Sequence, residues 1–155
     1  GWRAKLLDFG LSRLVTPRAR FLGGTFRWMA PEVITQEPGS IAPAADVFSF
    51  GRLLYMIMTG CLPLQDVSTN VISSWARFGS DLALAWPERM PCLCREVHEL
   101  SEMCMQFTPA SRPSIAQAQQ VLLQWEVGDR LAGEGRLLGD VLAQSTCSTQ
   151  DVQDV

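Results

Sequence analysis

Pro43-Ala44-Ala45-Asp46-Val47-Phe48-Ser49-Phe50-Gly51-Arg52-Leu53-Leu54-Tyr55-Met56-Ile57-Met58-Thr59 is the stretch on which the fold turns. Proline stands at its start and Gly60 just past its end. Proline's fixed φ and missing N–H suit the first turn of a helix, and glycine readily takes the left-handed conformation that closes one. The spacing therefore predicts a helix from Pro43 to Thr59. Its apolar side chains fall on nearly every side (Val47, Phe48, Phe50, Leu53, Leu54, Tyr55, Met56, Ile57 and Met58). A helix of that kind needs cover all round, so other elements must pack against it.

Further helical signals lie on both sides of it. Pro31 to Thr35 can make one helical turn, stopped by Pro38-Gly39, and Ser68 to Phe78 reads as a helix ended by Gly79. From Arg95 to Phe107 the pattern is amphipathic. Val97, Leu100, Met103, Cys104 and Phe107 make one stripe, and Glu96, Glu99, Glu102 and Gln106 the opposite face. Ser114-Ile115-Ala116-Gln117 has capping-box spacing, in which serine and glutamine reciprocally satisfy free backbone N–H groups. The helix it opens should turn Ile115, Ala118, Val121, Leu122 and Trp125 inward and stop near Gly128. At the other end, Ala4 to Leu7 is a short apolar run, strand-like, entering a turn at Asp8-Phe9-Gly10. Leu11 to Gly24 has no sustained period and reads as a loop. The expected organisation is a mostly α unit over 1–126. A Ser/Thr/Gln/Asp-rich tail, 127–155, is expected to be disordered apart from a short helix near Arg136–Ala143.

Composition narrows the class. The chain has 155 residues, 47% hydrophobic and 19% charged, with a net charge of −3. That balance gives no support to a nucleic-acid partner. The charge is uneven, however: up to Arg27, Arg3, Lys5, Arg13, Arg18, Arg20 and Arg27 face only Asp8, whereas acids dominate from Glu126 onward. A basic segment can meet a phosphate or an acidic partner, although a solvated face accounts equally well for any single charge. The five cysteines are odd in number, Cys92-Leu93-Cys94 is too close-spaced for a zinc pair, and His98 is the only histidine. Free thiols in a reducing compartment, the cytoplasm, are the natural expectation. The start lacks a secretory signal, and no apolar run reaches the ~20 residues a membrane span requires. Without an initiator methionine, the chain reads as a fragment or a processed product.

Chemistry enters with Asp8-Phe9-Gly10. A carboxylate beside a glycine turn can coordinate Mg²⁺ that bridges nucleotide phosphates, because hard cations prefer oxygen. Alone the tripeptide is weak. Some two dozen residues on comes Ala30-Pro31-Glu32, preceded by Gly24-Thr25-Phe26-Arg27-Trp28-Met29, then Asp46-Val47-Phe48-Ser49-Phe50-Gly51, then Ser111-Arg112-Pro113. Taken together in that order, Lys5 to Trp125 resembles a eukaryotic protein kinase domain from the magnesium-binding DFG motif, through the activation segment and APE motif, into the C-terminal lobe. The resemblance spans about four fifths of the chain but only about half of a kinase domain. Gly24 to Glu32 resembles the tyrosine-kinase-like group, and Thr25 points to its Ser/Thr-directed members. The implied fold is the mostly α C-terminal lobe of the kinase-like fold, which is α+β in the whole domain.

The resemblance assigns roles. Asp8 would hold Mg²⁺, with Phe9 and Gly10 completing the cofactor-binding motif and Phe9 packing on the regulatory helix of the other lobe. Glu32 would pair with Arg112, a bidentate contact suited to a buried and geometrically fixed site. Asp46 would accept hydrogen bonds from the catalytic loop; the plainer alternative is a first-turn acid favoured by the helix dipole. Thr25 would serve substrate positioning. A phosphate on Thr16 could pair with Arg18 or Arg20 and order the loop, the alternative being an unmodified threonine. Phe48 stands where tryptophan is common. ATP and Mg²⁺ are the implied cofactors of the complete domain, and a protein the implied substrate.

Phosphoryl transfer in this family also needs a Gly-rich loop, a strand lysine paired with a helix glutamate, and a catalytic Asp with a nearby Asn. The last two belong about one to two dozen residues before Asp8. Lys5, the only lysine, sits beside the DFG position and cannot be the strand lysine. No catalytic residue is therefore expected within these 155 residues, and the chain alone is expected to be inactive. The competing reading is a pseudokinase, or an interaction module that acts through its helical lobe. In either case the helix at Pro43–Thr59 should lose part of its cover and leave the isolated chain loosely packed.

Overall fold

The computed structural model describes residues 5–10, 12, 25–36, 42–79, 82–87 and 94–125. Thr16, the rest of the Leu11–Gly24 loop except Ser12, Gly128, and the tail 127–155 with Arg136–Ala143 lie outside them. Among the described residues five α-helices follow one another: α1 (Pro31–Ile34), α2 (Pro43–Thr59), α3 (Thr69–Phe78), α4 (Cys94–Cys104) and α5 (Ile115–Leu123). Single 3₁₀ turns precede α1, at Phe26–Trp28, and α5, at Pro109–Ser111.

Local chemistry sets the helix ends. Pro43 opens α2, and Gly60, at φ 71°, closes it by donating its N–H to the Met56 carbonyl. Ser68 caps α3 by accepting from Val71 N–H, and Gly79 ends it at φ 66°. The capping box of α5 is complete: Gln117 N–H donates to Ser114 Oγ at 3.3 Å, and Ser114 N–H to Gln117 Oε1 at 2.8 Å.

Helix α2 lies between two apolar clusters. Phe48 enters one with Ala30, Leu64, Ile72, Trp75 and Ala76. Val47 and Leu54 enter the other with Val97, Leu100, Cys104 and Ala118. The seam between α2 and α4 is close because residue 51 is glycine. A Cβ there would come within 2.8 Å of Met105 Cγ and 2.9 Å of both Cys104 Cβ and the Ser101 carbonyl oxygen. Ser101, fully buried, donates its hydroxyl to the Gly51 carbonyl at 2.9 Å across the same seam.

Three expectations need correction. Lys5 to Leu7 forms no strand, and Leu6 and Leu7 stand open to solvent; an isolated extended run gains nothing without a partner to pair with. The buried stripe of α4 runs through Val97, Leu100, Ser101 and Cys104, while Met103 and Phe107 are partly exposed. Ser101 joins the stripe because the α2 backbone lies against it and takes its hydroxyl. Ile115 is exposed, since at the very start of α5 its neighbours no longer cover it. The expected loss of cover on α2 is seen: Leu53 is 39% and Ile57 60% exposed on a third, bare face.

Candidate functional site

Asp8 adopts a left-handed backbone at φ 62°, a conformation that aspartate tolerates better than most residues. Its Oδ1 accepts the Gly10 N–H at 3.1 Å, and Ser12 N–H donates to the Phe9 carbonyl at 3.0 Å, so a short turn displays the carboxylate. Asp8, Phe9 and Gly10 are all exposed. Among the described residues, no group of three or more His, Cys, Asp or Glu side chains could hold a metal. A lone exposed carboxylate nonetheless fits Mg²⁺, which takes one or two protein carboxylates and fills its shell from phosphates and water.

The second part of the site is the segment from Thr25 to Glu32. Trp28 and Met29 N–H groups donate to the Thr25 and Phe26 carbonyls at 2.9 and 3.1 Å, making the 3₁₀ turn. Thr25 itself is exposed. Met29 and Ala30 are buried, and Pro31 then opens α1. Two side chains of α2 grip the turn from behind: Ser49 Oγ donates to the Trp28 carbonyl at 2.8 Å, and Arg52 Nη1 donates to the Arg27 carbonyl.

At the end of this segment Glu32 meets Arg112, 80 positions along the chain. The contact is bidentate, with Nη1 to Oε1 at 2.7 Å and Nη2 to Oε2 at 2.8 Å, and both side chains are buried. Arg112 also donates from Nε to the Gln106 carbonyl (2.7 Å), from Nη1 to Ala44 (2.9 Å) and from Nη2 to Phe107 (3.0 Å). All five guanidinium N–H donors therefore have acceptors, the condition under which burying an ion pair is tolerable. Its guanidinium lies 4.9 Å from the centre of the Phe48 ring, so Phe48 fills the place behind the pair. One arginine thus ties α1, the start of α2 and the 106–107 turn together. Asp46 is exposed in the first turn of α2. Its nearness to the helix N-terminus is electrostatically favourable whatever else it contacts.

Sequence reasoning missed Arg52. It is 2% exposed, lies 4.7 Å from the Phe48 ring centre and 5.5 Å from that of Trp75, and burial lowers its pKa to about 10. It remains charged at neutral pH. The available signal was an arginine in the middle of an otherwise apolar helix. Elsewhere a groove of about 290 Å³ opens between the 61–67 and 83–85 segments, and neither Asp8 nor any residue of Thr25–Glu32 lines it.

The described residues thus combine an exposed carboxylate turn, a braced segment after it and a buried Glu–Arg tie across a helical lobe. Residues 2–123 match the protein kinase domain model, and the chain belongs to that family. Mitogen-activated protein kinase kinase kinase 12 of Rattus norvegicus is 33% identical over 125 residues, 79% of this chain and 13% of that protein. Serine/threonine-protein kinase STY17 of Arabidopsis thaliana is 35% identical over 138 residues, 81% of this chain and 22% of that protein. Mitogen-activated protein kinase kinase kinase 13 of Homo sapiens is 34% identical over 115 residues, 73% of this chain and 11% of that protein. The chain thus spans between about a tenth and a quarter of the length of these relatives. They agree with the Ser/Thr, tyrosine-kinase-like form of Gly24–Glu32. Among the described residues no helix is long and apolar enough to cross a membrane.

Proposed function

We propose that this chain is the C-terminal-lobe part of a protein kinase that transfers the γ-phosphate of ATP to Ser or Thr of protein substrates. The observation that carries the reading is the buried Glu32–Arg112 pair, which braces the Thr25–Glu32 segment in a member of the kinase family. Asp8, beside Phe9 and Gly10, would hold Mg²⁺, and the ion would supply charge neutralisation on the phosphates of bound ATP. Thr25, exposed on its turn, would serve substrate positioning, and Thr16 is the regulatory phosphorylation candidate. Asp46 would anchor the catalytic loop from below. Proximity and electrostatics do most of the work in phosphoryl transfer, so a rigid frame is the lobe's main contribution.

No residue of this chain is assigned as catalytic base or nucleotide clamp, so these 155 residues alone are inactive in this reading. Intact Asp8, Gly10, Thr25, Glu32 and Asp46 favour an active parent over a pseudokinase. A buried free thiol at Cys104 agrees with a reducing, cytoplasmic setting. The test is transfer of labelled γ-phosphate by the full-length protein to Ser/Thr substrates. Transfer abolished by Asp8→Ala, and absent from the 155-residue chain, is expected. No transfer by the full-length protein, or transfer indifferent to Asp8→Ala, would overturn the reading.

A further inference from the structure

Among the described residues, Arg52 is buried without a carboxylate partner. The arginine–carboxylate pairs among the described residues are Arg95–Glu99 and Arg112–Glu32, and Arg52 joins neither. Its Nε has no hydrogen-bond partner. The contrast with Arg112 is direct, since both guanidinium groups lie on the Phe48 ring, at 4.7 and 4.9 Å. Arg112 has its counter-ion and uses every donor; Arg52 has two aromatic faces and one carbonyl. A buried cation so poorly compensated is a poor stabiliser, and an apolar side chain of similar size would serve the core at least as well.

What Arg52 does supply is directional. Ser49 and Arg52 stand three residues apart on one face of α2. They donate to the consecutive carbonyls of Trp28 and Arg27. The N–H groups on those same two peptide units, belonging to Met29 and Trp28, are taken by the 3₁₀ turn. Both peptide planes are therefore held from both sides, and a loop that could otherwise rotate is pre-set in one conformation.

We infer that Arg52, with Ser49, is a positioning residue that locks the Thr25–Met29 turn in the conformation that receives the protein substrate. The inference rests on the kinase reading for the word substrate, but the lock itself does not. The guanidinium acts through the Arg27 carbonyl and does not touch the substrate, because it is closed off from solvent.

Two measurements separate the lock from the function. In this chain, hydrogen exchange is followed at the Trp28 and Met29 amides in wild type, Arg52→Met and Arg52→Lys. Arg52→Met keeps length and apolar bulk but cannot donate. Its 28–29 amides should exchange at least tenfold faster while amides of α4 keep their rates. Arg52→Lys, retaining a charged donor, should restore most of the protection. If either variant loses its helical circular dichroism, Ser49→Ala carries the test, since it removes the neighbouring grip by a small truncation and should loosen the same two amides. Unchanged exchange at 28–29, or a rise shared equally by α4, overturns the lock. In the full-length protein, Arg52→Met should raise KM for the protein substrate severalfold and leave KM for ATP unchanged. Local loosening without that KM change overturns the substrate role. A full-length wild type that phosphorylates nothing refutes the kinase reading instead, with the exchange result unaffected.

Discussion

Glu32→Ala is the perturbation whose outcome follows most directly from the structure. It removes both carboxylate oxygens from Arg112, at 2.7 and 2.8 Å, but leaves the Gln106, Ala44 and Phe107 carbonyls at 2.7, 2.9 and 3.0 Å. Those three bonds keep the guanidinium in place, so it cannot swing to solvent, and its side chain has no exposure of its own. The charge is stranded. Breaking a buried pair in this way costs about 3–5 kcal/mol, against about 5–15 kcal/mol for a whole domain. The denaturant midpoint of the chain, read by tryptophan fluorescence, should fall far enough for little folded baseline to remain. Arg112→Ala should be at least as damaging, because it strands Glu32 and also strips the cover from Phe48. Replacing both residues by apolar ones should cost less than the two single changes summed. Additive effects, or a loss under 1 kcal/mol for Glu32→Ala, would refute the reasoning that the pair works as one buried unit.

Three further outcomes can be checked with the same chain. Gly51→Ala drives a methyl into Met105, Cys104 and the Ser101 carbonyl, so α2 and α4 must part; a loss of roughly 1–3 kcal/mol is expected, and an unchanged midpoint would show that the seam yields freely. Burial raises the Cys104 thiol to about 11 from 9.0, so the folded state holds its proton more tightly than the unfolded one. Any stability tied to that thiol is present below pH 9 and declines as pH rises through about 11. At neutral pH, peptide mapping after brief alkylation should find Cys104 unlabelled in the folded chain and labelled once the chain is unfolded. The bare face of α2 at Leu53 and Ile57 should bind a hydrophobic dye. Leu53→Gln with Ile57→Gln should reduce that binding without lowering the unfolding midpoint, whereas unchanged binding would place the dye elsewhere.

Signals that act within a turn of helix were legible from the chain itself. The bounds of α2 follow from Pro43 and Gly60, and the start of α5 follows from Ser114 and Gln117, because caps satisfy backbone groups only a few residues away. The order of the Asp8, Glu32, Asp46 and Arg112 motifs marked the family for a similar reason: each is a short pattern whose meaning lies in its neighbours along the chain. Burial obeys a different rule. Whether Ile57 is covered, whether Ser101 rather than Met103 faces α2, and whether Lys5–Leu7 finds a strand partner depend on residues far off in sequence. Arg52 shows the difference most clearly. Its residue type promised a solvated charge, and only the packing of Phe48, Trp75 and the Arg27 carbonyl around it made it an enclosed donor aimed at one peptide. Periodicity states which side of a helix a residue occupies; only the tertiary fold decides what, if anything, stands on that side.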